Sequence, residues 1–380
     1  MDIISKLPNV TTSIFSVMST MAGAHNALNL SQGFPNFESD PVLVEAVSRA
    51  MKEGYNQYAP MPGDLDLRKE IAHKFKLLYG KTYSADEEIT ITAGATQGIF
   101  TAIAATINQG DEVLIFTPAY DCYQPAIELF GGKVVPIQLT SPFYAPNWEM
   151  VETKISSKTR MIIINSPHNP SGMIFSENDM LRLQALVVKH KLFVISDEVY
   201  EHIVFDGNEH YSAAGFPELA SRTFITASFG KTFHNTGWKI GYCVAPKILM
   251  EEFRKVHQYN VFSVNHPIQK ALALYLKDEQ NYLGIAALYE NKRNYFLSLL
   301  KDSRFKFIPS KGTYFQLLDF SEISSESDII FAERLTKEFK VATIPTSVFN
   351  TNKEDFHQIR ICFAKTEETL YKAATILNSI

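Results

Sequence analysis

Short apolar runs of strand length recur along the first three-quarters of this sequence, separated by stretches whose apolar positions repeat at helical spacing. The runs lie at 89–92 (ITIT), 112–116 (EVLIF), 133–137 (KVVPI), 161–165 (MIIIN), 193–196 (FVIS), 224–227 (FITA) and 240–244 (IGYCV). Several are β-branched and apolar at successive positions, so both faces must be buried, as in a sheet covered by helices. Helical spacing falls on 98–107, 177–190 and 249–259. Ser176 stands before Glu177, Asn178 and Asp179, an N-cap followed by acidic residues in the first turn. This alternation predicts an α/β fold with a mostly parallel sheet. Beyond residue 285 the pattern changes. A helix over 289–301 is followed by short strands near 305–308, 313–318, 341–344 and 358–363, with helices at 328–339 and 367–378. That is the pattern of a smaller α+β module.

Composition narrows the class. The chain has 380 residues, 46% of them hydrophobic and 20% charged, with a formal net charge of −5. Apolar content is too high for a disordered chain, and the length suits a large domain with a smaller one. Three widely spaced cysteines, Cys122, Cys243 and Cys362, exclude a disulfide scaffold and read as structural thiols. A slightly acidic balance argues against nucleic-acid binding through a basic field. The N-terminus MDIISKLPNVTTSIF lacks the basic and apolar regions of a leader, and no run reaches the ~18 apolar residues of a membrane span. A cytoplasmic protein is expected.

The candidate chemistry follows the predicted strands, where an open α/β sheet places its ligands. AGATQG at 93–98 joins a strand to a helix; small residues permit close backbone approach, and a helix N-terminus suits phosphate, although a plain tight turn would look the same. NSPHNPSG at 165–172 reads as a rigid connection, and nothing local makes Asn169 point inward. In SDEVYE at 196–201, Asp197 ends a buried strand. A carboxylate there needs a cationic partner, such as a protonated ring nitrogen, or a turn to cap. SFGKTFHNTGWKIG at 228–241 gathers Ser228, Lys231 and Lys239. A lysine near-buried at a sheet's carboxyl edge has a lowered pKa and becomes a nucleophile, whereas most lysines simply face water. Late in the chain, QIRICFA sets Arg360 and Cys362 opposite Ile359, Ile361 and Phe363. An arginine so embedded suits either a bound carboxylate or an internal salt bridge.

Competing motifs fail. A P-loop ending at Gly230-Lys231-Thr232 would need glycine where Ile225 stands. The serine-to-lysine spacing of Ser228 and Lys231 matches a penicillin-binding site, but its SDN and KTG companions are missing. There is no HExxH, paired CxxC or GxGxxG, which argues against zinc and nicotinamide.

Together the strings LSQGFPNF, NQYAPMPG, AGATQG, PAYDCYQP, NSPHNPSG, SDEVYEH, SFGKTFHNTGWKIGYCVAP, VHQYNVFSVN, GTYF and IRICFAK resemble the class I/II pyridoxal-phosphate-dependent aminotransferases of fold type I. The likeness is to the methionine and kynurenine/glutamine aminotransferase branch and runs in order over nearly the whole chain. It implies a large cofactor domain at 41–285 with a seven-stranded sheet, and a small domain from 1–40 and 286–380. It implies pyridoxal 5′-phosphate (PLP) on Lys231 as a Schiff base, Asp197 on the pyridinium nitrogen, Tyr200 and Asn169 on the phenolic oxygen, and Tyr120 stacked on the ring. Ser228, Lys239 and the Gly94-Ala95-Thr96 turn would hold the phosphate. Many relatives carry arginine where this chain has Lys239, which keeps the charge and loses the fork. Tyr58 would reach the phosphate of a neighbouring subunit, making a homodimer with shared sites. Arg360 would clamp the substrate carboxylate, with Gly33 and Asn169 nearby. No metal is implied.

The implied reaction moves an α-amino group to a 2-oxo acid by a ping-pong route. The pocket candidates Ile14, Phe34, Tyr58, Tyr120 and Phe262 are apolar or aromatic, and no second arginine stands in a recognisable motif, which disfavours aspartate. Such a pocket suits methionine and aromatic amino acids. A kynurenine/glutamine aminotransferase with cysteine-S-conjugate β-lyase activity is the alternative. A regulator on the same fold would need an added DNA-binding domain, for which the first 40 residues are too short.

Overall fold

The computed structural model describes residues 3–380. Twelve strands occur in chain order: β1 (Leu28–Asn29), β2 (Ile89–Thr92), β3 (Glu112–Thr117), β4 (Lys133–Gln138), β5 (Thr159–Asn165), β6 (Phe193–Asp197), β7 (Thr223–Ser228), β8 (Gly241–Val244), β9 (Phe315–Asp319), β10 (Val341–Ala342), β11 (Ile344–Pro345) and β12 (Gln358–Cys362). Seven form one sheet in the order β2-β8-β7-β6-β5-β3-β4, and β8 runs antiparallel to both of its neighbours. This is the expected mostly parallel α/β sheet. Its inner strands carry apolar side chains on both faces: Ile162 and Ile164 enter one apolar cluster, Met161 and Ile163 another. That double burial explains why these runs read as unbroken hydrophobic blocks.

Helices cover both faces. Glu177–His190 begins and ends where the periodicity places it, because Ser176 and Asp179 form a reciprocal capping box and Lys191 closes the helix in a left-handed conformation. Ala95–Thr106 starts three residues before the expected 98, directly after Gly94 at φ +80°. Its first turn is small and polar and no side chain caps it, so by sequence it looks like loop.

Beyond residue 285 a second apolar cluster gathers Phe296, Phe331, Ile361 and Leu370 with Met18 and Leu30 from the N-terminal end. Its antiparallel sheet is β11-β12-β9, and β1 pairs with β10. Two expectations need correction. Residues 305–308 form no strand: Lys306 makes a single bridge to Asp319, and Pro309, which has no N–H to donate, follows. The run 341–344 divides into β10 and β11, which pair with different strands.

Candidate active site

A cavity of about 300 Å³ opens where the carboxyl ends of β5, β6 and β7 meet the N-terminus of helix Ala95–Thr106 and strand β12. Gly33, Phe34, Tyr120, Asn169, Asp197, Tyr200, Ser228, Lys231, Lys239, Arg360 and the Gly94–Thr96 turn all contribute to its wall. Residues more than 320 positions apart in sequence are therefore brought to one site.

One end of the cavity is built to receive an anion. Helix Ala95–Thr106 has no side-chain cap, so its first N–H groups and its positive dipole end face the cavity. A Cβ on Gly94 would stand 3.4 Å from Lys239 Nζ, so this backbone and that ammonium are in contact. A Cβ on Gly241 would meet Ala227 O at 2.5 Å and Ala95 N at 2.9 Å, which keeps β8 close against the helix start. Thr96 and Ser228 add hydroxyls to the same wall.

Asp197, at the end of β6, is buried, and its carboxyl is pushed up to about 6 by burial. Tyr123 OH donates to its Oδ2 at 2.5 Å and the backbone N–H of Val199 reaches Oδ1 at 3.4 Å; both favour the charged form. Neither brings a positive charge, and Lys231 adds only a smaller attraction, so the carboxylate is oriented without a direct cationic partner. Asn165 ties the neighbouring strand ends together, donating to Asp197 O at 2.9 Å and accepting from Asn169 N at 2.8 Å.

Lys231 lies on the short helix Phe229–Thr232 that follows β7. Burial lowers its amine to about 8, so roughly a tenth of it is neutral at pH 7, far more than for an exposed lysine. Its Nζ donates to Gly33 O at 3.2 Å.

Arg360 is buried in β12 with its guanidinium 3.9 Å from the centre of the Phe315 ring. Nη1 donates to Asn169 Oδ1 at 2.7 Å and Nη2 to Ser31 O at 3.0 Å, while Nε is buried without a partner. Of the two readings open in the sequence, the internal salt bridge is not formed among the described residues. The hydrogen bonds go to an amide and a carbonyl, and one nitrogen, Nε, has no acceptor.

Three expected pocket residues lie elsewhere. Ile14 does not reach this cavity; the neighbouring Phe15 does, because successive helical side chains point about 100° apart. Ile14 packs on the C-terminal apolar cluster and borders a separate groove with Val10 and Val17. Tyr58 is 81% exposed and stacks edge-on against Phe262 at 5.5 Å, and neither lines the cavity. No feature of the sequence singles out Tyr123, Phe15 or Phe315. Tyr123 lies within PAYDCYQP, but only the fold shows that its hydroxyl meets Asp197.

A lysine amine, a buried carboxylate, an uncapped helix start beside a second lysine, and an arginine line one cavity, an arrangement able to hold an anionic group and a carboxylate together. Comparison with known proteins gives this arrangement its family. The family model for aminotransferase class I and II matches residues 25–377, and the chain belongs to that family, which uses PLP. It is 46% identical over 377 residues to the methionine aminotransferase of Escherichia coli strain K12, covering 99% of this chain and 98% of that one. The kynurenine–oxoglutarate transaminase of Dictyostelium discoideum is 34% identical over 95% of this chain and 92% of its own. A solved Escherichia coli structure described as having a methionine aminotransferase function superposes with a TM-score of 0.98, at 46% identity over the whole of both chains. The protein is an aminotransferase with the fold of that family.

Proposed function

We propose that the protein transfers the α-amino group of methionine, and of aromatic amino acids, to a 2-oxo acid using PLP bound in this cavity. The observation that carries the cofactor assignment is the buried Asp197, without a direct cationic partner, facing the same cavity as the uncapped helix and Lys239. Ser228, Lys239, Thr96 and the backbone at Gly94 and Ala95 would hold the phosphate, Asn169 and Tyr200 the phenolic oxygen, and Tyr120 the ring face. Bound there, the cofactor supplies an aldehyde and an electron-withdrawing ring. Asp197 as a carboxylate holds a proton on the ring nitrogen. Arg360 would offer its guanidinium fork to the α-carboxylate, in exchange for its present amide and carbonyl partners, and orient the donor amino acid. Lys231 in its neutral form would take the proton from the substrate Cα and deliver it to the cofactor's aldehyde carbon. The 2-oxo acid acceptor uses the same carboxylate clamp in reverse, which makes the kinetics ping-pong.

Methionine is supported by the apolar and aromatic wall of Phe15, Phe34, Tyr120 and Phe315, and by similarity to the Escherichia coli enzyme. The more distant kynurenine–oxoglutarate transaminases keep the alternative donor in view. Exposed Tyr58, paired with Phe262 outside the cavity, supports a homodimer in which Tyr58 reaches the neighbouring site. A division into bodies at 41–285 and at 1–40 with 286–380 is supported by the C-terminal apolar cluster that includes Met18 and Leu30. Among the described residues no helix is long and apolar enough to cross a membrane, in keeping with a cytoplasmic enzyme.

The purified protein is expected to be yellow, and Lys231→Ala to lose both the covalent cofactor absorbance and transamination. Wild-type turnover by Lys231→Ala would sink the assignment. A panel of amino donors with one fixed 2-oxo acid separates the substrate readings. Methionine and the aromatics are expected to lead, and aspartate outrunning them would refute the pocket assignment.

A further inference from the structure

Residues 31–34 form a loop whose four consecutive carbonyl oxygens accept from side chains that arrive from distant parts of the fold. Arg360 Nη2 donates to Ser31 O at 3.0 Å. Lys365 Nζ donates to Phe34 O at 2.7 Å and reaches Gln32 O at 3.5 Å. Gly33 O accepts from Lys231 Nζ at 3.2 Å and from Tyr314 OH at 2.5 Å. Three cations thus converge on four residues. Two of them, Arg360 and Lys231, are the groups assigned above to substrate and cofactor, so a ligand would compete with the loop carbonyls for both. Lys365 is not in the cavity wall and would keep its place.

Lys365 is only 3% exposed, and both of its hydrogen bonds end on this loop. A buried ammonium held by carbonyls alone is costly to desolvate, so its site is specific to those carbonyls. Its Nζ also lies 4.9 Å from the centre of the Phe34 ring, which lines the cavity. The next residues continue the attachment: Thr366 N donates to Asn36 Oδ1 at 2.7 Å, and Asn36 Nδ2 donates to Thr369 Oγ1 at 2.9 Å. The loop has little room to shift inward, since a Cβ on Gly33 would stand 2.8 Å from Phe315. Strand β12 and the residues after it therefore carry both the carboxylate clamp, Arg360, and the anchor of the wall beside it, Lys365.

We propose that Lys365 is a positioning residue for the amino donor: it fixes the 31–34 loop, and with it Phe34 and the carbonyls that accept from Arg360 and Lys231. This rests on Arg360 receiving the donor carboxylate and does not depend on methionine being the donor. The test is the donor half-reaction of the holoenzyme, followed by loss of cofactor absorbance on mixing with methionine. Lys365→Met is expected to raise the apparent dissociation constant for methionine about tenfold and to leave the limiting rate within about threefold. The pH titration of the cofactor absorbance is expected to be unchanged, because Lys231 and Asp197 are untouched. Lys365→Arg, which keeps a cation, is expected to recover most of the affinity. Asn36→Ala loosens the same loop from an exposed position and is expected to weaken binding in the same direction, so it decides the matter if Lys365→Met does not fold. Unchanged affinity in Lys365→Met, or in Asn36→Ala where that variant decides, would overturn the proposal, as would a fall in limiting rate as large as the loss of affinity. If the wild-type enzyme does not react with methionine, the donor assignment has failed, and the loop is tested with the best donor of the panel.

Discussion

Asp197 shows how one buried residue sets both chemistry and stability. Burial raises its carboxyl from 3.8 to about 6, and the Tyr123 hydroxyl works against that rise. A carboxyl whose folded pKa lies above its unfolded value stabilises the fold fully below 3.8, and that contribution is lost as pH rises through 6. A shift of about two units corresponds to about 3 kcal/mol, so the cofactor-free protein is expected to melt lower at pH 7 than at pH 4 on this account. Tyr123→Phe removes a donor that favours the charged form. It is expected to move the loss of stability upward by about one pH unit and to lower turnover at pH 7 about tenfold. Melting curves of the cofactor-free variant against pH, with steady-state turnover of the holoenzyme, check both, and an unshifted pH profile would count against this account. Asp197, Lys231 and Ser228 were legible because each follows a buried apolar run. Tyr123 was not, since its partner is 74 positions away and nothing in its own segment marks it. The exchange of Phe15 for Ile14 has the same origin: periodicity shows a helix, and which neighbour faces the site depends on where that helix docks.

Elements were legible where local and tertiary preferences agree. The helix Glu177–His190 was placed to the residue because its capping box is written in adjacent residues. The buried strands were placed within about two residues at each end, because apolar blocks leave little freedom. Elements held by only a few pairings were misread, as at 305–308. The start of helix Ala95–Thr106 is hidden in the sequence because its first turn is small and polar and no side chain caps it. Gly94 holds φ +80°, a conformation that strains any residue with a Cβ, and a Cβ there would also touch Lys239 Nζ at 3.4 Å. Gly94→Ala is therefore expected to destabilise the fold by about 1 kcal/mol and to weaken cofactor retention about tenfold. Equilibrium release of PLP, followed by its absorbance, measures the second effect. Retention at the wild-type level would mean that the helix start does not form the phosphate cradle.

At the scale of the molecule, the loop after β6 has to be held from behind, because Asp197 at the strand end and Val199 and Tyr200 after it line an open cavity on one side. The next residue, Glu201, does this. Lys74 Nζ donates to Glu201 Oε1 and to Tyr242 OH, both at 2.5 Å. Tyr242 OH donates to the same carboxylate at 2.6 Å, and Tyr79 OH to Oε2 at 2.8 Å. Lys74 and Tyr79 lie on helix Leu65–Tyr79 and Tyr242 on β8, so the network joins a covering helix, the sheet and the catalytic loop. Both charges are almost wholly buried, at 3% side-chain exposure each. Burial alone would raise the Glu201 carboxyl, but Lys74 and the hydroxyls outweigh it and hold the group well below its ordinary 4.5. Because the folded value lies below the unfolded one, the stability from this pair is complete above pH 4.5 and is lost as pH falls below it. Lys74→Met leaves an unpaired carboxylate in the interior and is expected to lower stability by about 3–5 kcal/mol at pH 7. Protonating Glu201 relieves part of that penalty, so the gap between variant and wild type should narrow as pH falls. Chemical denaturation at pH 7 and pH 4 measures the gap. A gap that is small, or equal at the two pH values, would show that the loop is held by apolar packing of Tyr200 and Ile203 on the C-terminal core instead.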